Sequence, residues 1–326
     1  MNSEKELLLE ICKKCFLDCK FCSSNADEKS LCFLKLNLIK SIIRDTNKLK
    51  ISRIQISGGE PFTHPDLLKI CECLSKENKK TLIYTCGNIN LKGRLHQIPY
   101  RTLEMIKEFR IESLRFNLQS HKPEIHNFLT NSNSFKNTIL SIKSSVELGF
   151  NTEIHIIPFK QNYLDLSESI EFFRSLGISK VKFLRFIPHG RGSINKTFLE
   201  LNQTQNRYLL EKLIYFKKQF QEFIEIGSSF NSSFIKDRFK ICRDCQLGKN
   251  KIAVTPDSKV FPCVSTKNLD IFNFRLQKRS LYEILNSKEY LNKLNYYLSI
   301  PKDQNLTSEC FDLCPTQGYL KINSSN

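Results

Sequence analysis

The chain has 326 residues, 40% of them hydrophobic, which is ample for one large domain or a large domain with an appendage. No apolar run approaches the ~20 residues of a membrane span, and Met1–Glu6 lacks the basic flank and apolar stretch of a secretion signal, so a cytoplasmic protein with no membrane partner is expected. The formal charge of +17, from 50 Lys and Arg against 33 Asp and Glu, favours an acidic partner; its even spread, with no Arg-Gly repeat or basic tail, leaves nucleic acid a lesser alternative.

In chain order, short runs rich in Ile, Val, Phe and Thr predict strands at Leu7–Ile11, Arg53–Ser57, Thr81–Thr85, Ser113–Asn117, Thr152–Pro158 and Lys182–Phe186. Helices are predicted between them at Leu36–Leu49, Asp66–Glu77, Leu103–Phe109, Phe135–Leu148 and Leu164–Leu176. Phe135, Ile139, Ile142 and Val146 make one apolar helical stripe, and Gly149 and Gly177 stand where left-handed caps belong. This alternation predicts an α/β fold with a parallel sheet, open or closed into a barrel, whose functional loops gather at the carboxyl ends of the strands. A long helix is expected over Phe198–Ile226, a hinge at Gly227–Ser233, and a small hairpin around the turn at Pro256–Asp257–Ser258. Leu281–Leu294 reads as helical.

Thirteen Cys in a reducing compartment argue for metal rather than disulfides. They crowd the two ends of the chain, which suggests two metal centres. Cys15, Cys19 and Cys22 pack three thiols into eight residues directly after the first strand. Three thiolates can wrap an iron–sulfur cube and leave one iron open, whereas structural zinc wants a fourth ligand, for which Cys12 is the nearby candidate. Near the other end, Cys242, Cys245, Cys263, Cys310 and Cys314 offer more thiols than the four that a closed cluster or zinc requires.

The triplet, followed by Gly58-Gly59-Glu60-Pro61 after the second strand, resembles the radical S-adenosylmethionine (SAM) superfamily. The resemblance implies a partial (β/α)6 TIM-like barrel over residues 1–230 and a small twitch/SPASM-like extension over 231–326. It implies a [4Fe–4S] cluster on Cys15, Cys19 and Cys22, with SAM chelating the open iron. Phe21 would lie against the adenine, and Gly58, Gly59 and Glu60 would meet the SAM amino group. Asn117, Gln119, Ser120 and Asn162 are candidates for the ribose side, and Arg185 for the SAM carboxylate or the substrate. A reduced cluster would cleave SAM to a 5′-deoxyadenosyl radical, which removes hydrogen from an unreactive carbon; His121, His126, His155 and His189 need no catalytic role in that chemistry.

Ala253–Cys263 resembles the hairpin of the SPASM extension, with Ser258 where glycine usually stands. This implies a second, auxiliary [4Fe–4S] cluster, preferably on Cys245, Cys263, Cys310 and Cys314 with Cys242 as spare; zinc is the competing metal. The expected substrate is a ribosomally made peptide or protein, crosslinked, epimerised or oxidised. The alternatives are oxidation of a small molecule such as a sugar and, less favoured, modification of RNA. An acidic flavodoxin or ferredoxin is the expected electron donor. Cys86, after the third strand, could return hydrogen to a substrate radical, and pocket lining is its plainer reading.

Overall fold

In a computed structural model, residues 4–227, 230, 247–248, 250–267 and 269–299 are described. Strands β1 (Glu6–Cys12), β2 (Arg53–Gly58), β3 (Lys80–Thr85), the hairpin β4–β5 (Asn88–Leu91, Arg94–Gln97), β6 (Ile111–Asn117), β7 (Thr152–Ile156), β8 (Lys180–Phe183), β9 (Ile224–Ile226), β10 (Lys251–Val254), β11 (Lys259–Phe261) and β12 (Phe274–Arg275) follow in sequence. One ten-stranded sheet runs β12-β11-β10-β1-β2-β3-β6-β7-β8-β9. From β10 to β9 every pairing is parallel. The carboxyl-terminal hairpin therefore enters the same sheet as the barrel strands, along the free edge of β1.

The expected strands are present, the sixth displaced to Lys180–Phe183. The helices α1 (Leu36–Lys48), α2 (Leu67–Lys76), α3 (Tyr100–Lys107), α4 (Pro123–Thr130), α5 (Phe135–Glu147) and α6 (Leu166–Ser175) cover the sheet. Ile39, Ile42, Ile43 and Thr46 of α1 recur at helical spacing and are buried, as an amphipathic helix requires. Gly149 and Gly177 take φ of +71° and +76°, the left-handed conformation that closes α5 and α6.

Three local expectations are corrected. The helix expected over Phe198–Ile226 is broken: α7 (Arg191–Ile194), α8 (Lys196–Leu199) and α9 (Gln203–Phe220) end before β9, which adds a further parallel strand. Asn202 starts α9 through a capping box with Gln205. Leu281–Leu294 is likewise divided, into Leu281–Leu285 and Lys288–Ser299. In α5 the buried face takes only Ile142 from the apolar stripe, beside Thr138, Ser141, Ser144 and Ser145, while Phe135, Ile139 and Val146 are partly buried. Its hydroxyls are needed there: Thr138 donates to the Cys86 carbonyl at 2.9 Å and Ser141 to the Gly87 carbonyl at 2.7 Å. A loop buried against the helix must satisfy its backbone groups, and Ser and Thr do so where Leu could not.

Alternate residues of the parallel strands carry a polar network on one face of the sheet. Gln55, Tyr84, Arg115 and Glu153 are joined in sequence by hydrogen bonds of 2.9–3.0 Å. Burial pushes the Glu153 carboxyl up, but the His155 hydrogen bond and the Arg115 charge outweigh it and bring the group to about 2.

His126 on α4 is fully buried; its Nδ1 accepts from the Gln119 amide at 3.2 Å, so Nε2 carries the proton toward Ser134 Oγ at 3.1 Å. Burial lowers it to about 4. The unfolded chain takes up this proton near its ordinary 6.5, so the contribution is complete above that pH and is lost as pH falls toward 4. Urea unfolding under anaerobic conditions should show wild type losing about 2 kcal/mol more than His126→Phe between pH 7 and pH 5. Equal losses would contradict this role.

Candidate functional site

The site forms where the carboxyl ends of β1, β2 and β3 meet. The Gly59 amide donates to the Cys12 carbonyl and the Glu60 amide to the Lys14 carbonyl, both at 2.7 Å, so the chain after β2 is bonded to the start of the cysteine loop. This contact demands glycine. A Cβ on Gly58 would collide with the Cys12 carbonyl and one on Gly59 with the Lys14 carbonyl, and Gly58 has φ +138°. The paired glycines are thus explained first by the approach of two backbones.

Glu60 is fully buried, and both of its carboxylate oxygens accept from the chain. One takes Thr85 Oγ1 at 2.8 Å and the Phe62 amide at 3.2 Å, the other the Cys86 amide at 2.7 Å. Burial raises its carboxyl above the ordinary range against these bonds. Glu60 is therefore a bracket between β2 and β3, with its side chain occupied inside the protein.

Cys15, Cys19 and Cys22 gather with Leu17, Ala26, Leu95 and Cys86 in one small cluster. Burial pushes the Cys19 thiol well up, the neighbouring Cys15 and Cys22 add to this, and the Arg191 charge opposes it. Cys12 lies in β1, wholly buried and held near 12 by burial; its thiol donates to the Glu60 carbonyl at 3.4 Å. It packs in the main core and not in the small cluster that gathers Cys15, Cys19 and Cys22. Among the described residues, no three His, Cys, Asp or Glu side chains converge as a single metal ion would require. A cube asks for something different, since each thiolate binds a separate iron. Three clustered thiols, with a buried arginine nitrogen beside their loop that has no partner among the described residues, fit such a cluster.

Phe21 packs against Phe159 with ring centroids 5.1 Å apart and planes tilted by 35°, and Phe159 meets Phe186 edge-on at 5.3 Å. The polar candidates after β6 and β7 are tied together. Asn162 accepts from the Phe159 amide at 2.7 Å and donates to the Gln119 carbonyl at 2.7 Å and the Ile157 carbonyl at 3.0 Å. Gln119 donates to Asn117 Oδ1 and accepts from the Ile157 amide at 3.0 Å. Ser120 accepts from the Lys122 amide at 3.0 Å, at the start of α4. Gln119, Ser120 and Asn162 are buried and shape the strand-end loops, while Arg185 is half-buried and engaged within the chain.

Sequence reasoning missed Arg191, Glu10 and Lys267. Arg191 grips the cysteine loop through the Cys19 and Ala26 carbonyls. Lys267 and Glu10 form a buried ion pair at 3.0 Å, and Lys267 also donates to Ser24 Oγ at 2.6 Å, linking the carboxyl-terminal segment to β1 and the cysteine loop. His189 meets the Ser265 carbonyl at 2.8 Å, and Ser265 Oγ lies 3.2 Å from Cys263 Sγ. The glycines flanking Arg191 were the readable signal, since paired glycines mark close backbone approach. Cys242, Cys245, Cys310 and Cys314 lie outside the described residues.

The radical SAM superfamily model matches residues 9–173, and SPASM, an iron–sulfur cluster-binding domain, matches residues 245–315. The GTP 3′,8-cyclase of Aquifex aeolicus is 26% identical over 294 residues, covering 82% of this chain and 85% of its own. The antilisterial bacteriocin subtilosin biosynthesis protein AlbA of Bacillus subtilis is 23% identical over 316 residues, covering 95% of this chain and 65% of its own. In fold, the chain is similar to Streptococcus suis SuiB bound to precursor peptide SuiA, with TM-score 0.73, 16% identity, and 97% of this chain and 72% of that one covered. It is also similar to anSMEcpe with bound AdoMet and a peptide, with TM-score 0.71, 13% identity, and 98% and 95% covered. No helix among the described residues is long and apolar enough to cross a membrane. The chain belongs to the radical SAM superfamily: it is a SAM-dependent iron–sulfur enzyme with a SPASM domain.

Proposed function

We propose that this enzyme modifies a ribosomally made peptide or protein by hydrogen abstraction. When bound, the cluster and SAM supply one-electron chemistry that yields a 5′-deoxyadenosyl radical. The chain's own residues then have positional tasks. Cys15, Cys19 and Cys22 hold the cluster. Phe21, backed by Phe159, offers a ring to the adenine. The Gly58–Glu60 backbone faces the SAM amino group, with the Glu60 side chain acting as a bracket. Asn117, Gln119, Ser120 and Asn162 shape the ribose side mainly through the backbone they fix, and Arg185 is assigned to the carboxylate side.

Cys245, Cys263, Cys310 and Cys314 are assigned to the auxiliary cluster. All four fall within the SPASM match, and Cys242 falls before it. An acidic flavodoxin or ferredoxin fits a chain of charge +17 as electron donor.

The observation that carries the peptide reading is the extent of the similarity to AlbA, which spans 95% of this chain, the extension included. A second reading, action on a nucleotide, rests on the cyclases, which reach 26% identity but cover about four-fifths of the chain. The holoenzyme with SAM, reductant and GTP should leave GTP unchanged. Co-expression with short peptides encoded beside its gene should yield one that has lost hydrogens or gained solvent deuterium on mass analysis. Conversion of GTP, with every such peptide unaltered, would overturn the peptide reading.

Cys86 remains the candidate hydrogen donor. It packs in the same small cluster as Cys15, Cys19 and Cys22. Cys86→Ala should abolish solvent-deuterium incorporation into product while SAM cleavage continues; undiminished incorporation would remove Cys86 from the role. Gly59→Ala, which drives a Cβ into the Lys14 carbonyl, should lose most of the amino-terminal cluster iron with far-ultraviolet circular dichroism retained. Full loading would contradict the backbone argument.

A further inference from the structure

The connection from β8 to α7 is pressed against the cysteine loop. A Cβ on Gly190, which has φ +55°, would stand 2.6 Å from the Cys22 carbonyl and from Asn25 Oδ1. One on Gly192 would stand 3.2 Å from the Phe21 carbonyl. Between these glycines, the Arg191 amide donates to the Cys22 carbonyl at 3.0 Å. Its side chain donates from Nε to the Cys19 carbonyl at 2.9 Å and from Nη1 to the Ala26 carbonyl at 2.8 Å, and Nε pairs with Asp18 Oδ1 at 3.1 Å. Asn195, one turn on, donates to the Lys20 carbonyl at 3.0 Å. The loop carrying Cys19 and Cys22 is thus held from Asp18 to Ala26 by one short segment.

One part of this clasp is unfilled. Arg191 Nη2 is buried and has no hydrogen-bond partner among the described residues. A guanidinium offers five N–H donors in a fixed plane, and a buried pair of them without an acceptor is a costly exception. Cluster sulfurs and thiolates are anionic acceptors, and hydrogen bonds to them are among the factors that set a cluster's reduction potential.

We infer that Arg191 is a positioning residue of the amino-terminal cluster, clasping its loop with Nε and Nη1 and donating from Nη2 to a sulfur of the bound cluster. Each added electron makes the cluster more negative, so a fixed positive donor stabilises the reduced form more than the oxidised form. The potential is raised, so the cluster accepts an electron from its donor more readily, at some loss of driving force toward SAM. This rests on the assignment of Cys15, Cys19 and Cys22 as ligands.

The holoenzyme, labelled with 15N only in arginine and reduced without SAM, should show a nitrogen hyperfine coupling at the amino-terminal cluster. The coupling should persist in Arg185→Gln and vanish in Arg191→Lys. Arg191→Gln should shift the reduction equilibrium of that cluster at least tenfold toward the oxidised form, a fall of about 59 mV for one electron, with Arg191→Lys restoring part of the shift. Asn195→Ala removes a loop contact without removing charge and should leave the potential unchanged. A wild-type cluster without arginine coupling would overturn the inference, as would an unaltered potential in Arg191→Gln. A triplet that binds no cluster would instead defeat the ligand assignment beneath it.

Discussion

Everything at the carboxyl end of the sheet depends on two short backbone hydrogen bonds, from Gly59 and Glu60 to the carbonyls of Cys12 and Lys14. They bring the chain leaving β2 into contact with the chain leaving β1, at a separation that no side chain would permit. The Glu60 carboxylate then fastens the same point to Thr85 and the Cys86 amide at the end of β3. Three strand ends are thereby locked together before any ligand arrives. The cysteine loop starts from this junction, so the positions of its thiols are inherited from it.

The second support comes from the far side of the sheet. Arg191 and Asn195 hold the loop by its carbonyls, and Phe21 is wedged on Phe159. Apart from the Arg191–Asp18 pair, these hydrogen bonds grip the loop through its main-chain carbonyls and not through its sulfurs. From beyond the barrel, Lys267 reaches Glu10 and Ser24, and Ser265 joins His189 to Cys263. A buried ion pair of this kind contributes little net stability, yet losing one partner costs about 3–5 kcal/mol. It is better understood as fixing the segment that carries Cys263 against the cysteine loop.

Much of this was legible in the sequence because it depends on spacing and strong local chemistry. The strands show as short runs rich in Ile, Val, Phe and Thr, and Cys15, Cys19 and Cys22 directly after the first of them, followed by Gly58-Gly59-Glu60, leave few other readings. Ser258 is a smaller case: it stands at φ +66°, which explains why glycine is usual there. What was illegible depends on distant partners. The inward Ser and Thr of α5 look like a polar surface until the loop at Cys86–Asn88 is seen to need their hydroxyls. Strand β9 is three residues long and exists because β8 offers an edge. Arg191 lies about 170 residues from the loop it holds, so its flanking glycines announce a close approach without naming the partner. Asn117, Gln119, Ser120 and Asn162 were noticed as polar residues at strand ends, but only the fold reveals how far they are engaged with one another and with the backbone.

The account's central claim is that Cys15, Cys19 and Cys22 hold a cube whose open iron binds and cleaves SAM. The most direct test is anaerobic incubation of the reconstituted enzyme with SAM and dithionite, beside a Cys19→Ala variant that keeps its auxiliary metal. Wild type should release 5′-deoxyadenosine and the variant none. Equal release from both, or none from a wild type whose amino-terminal cluster is fully loaded and reducible, would contradict it.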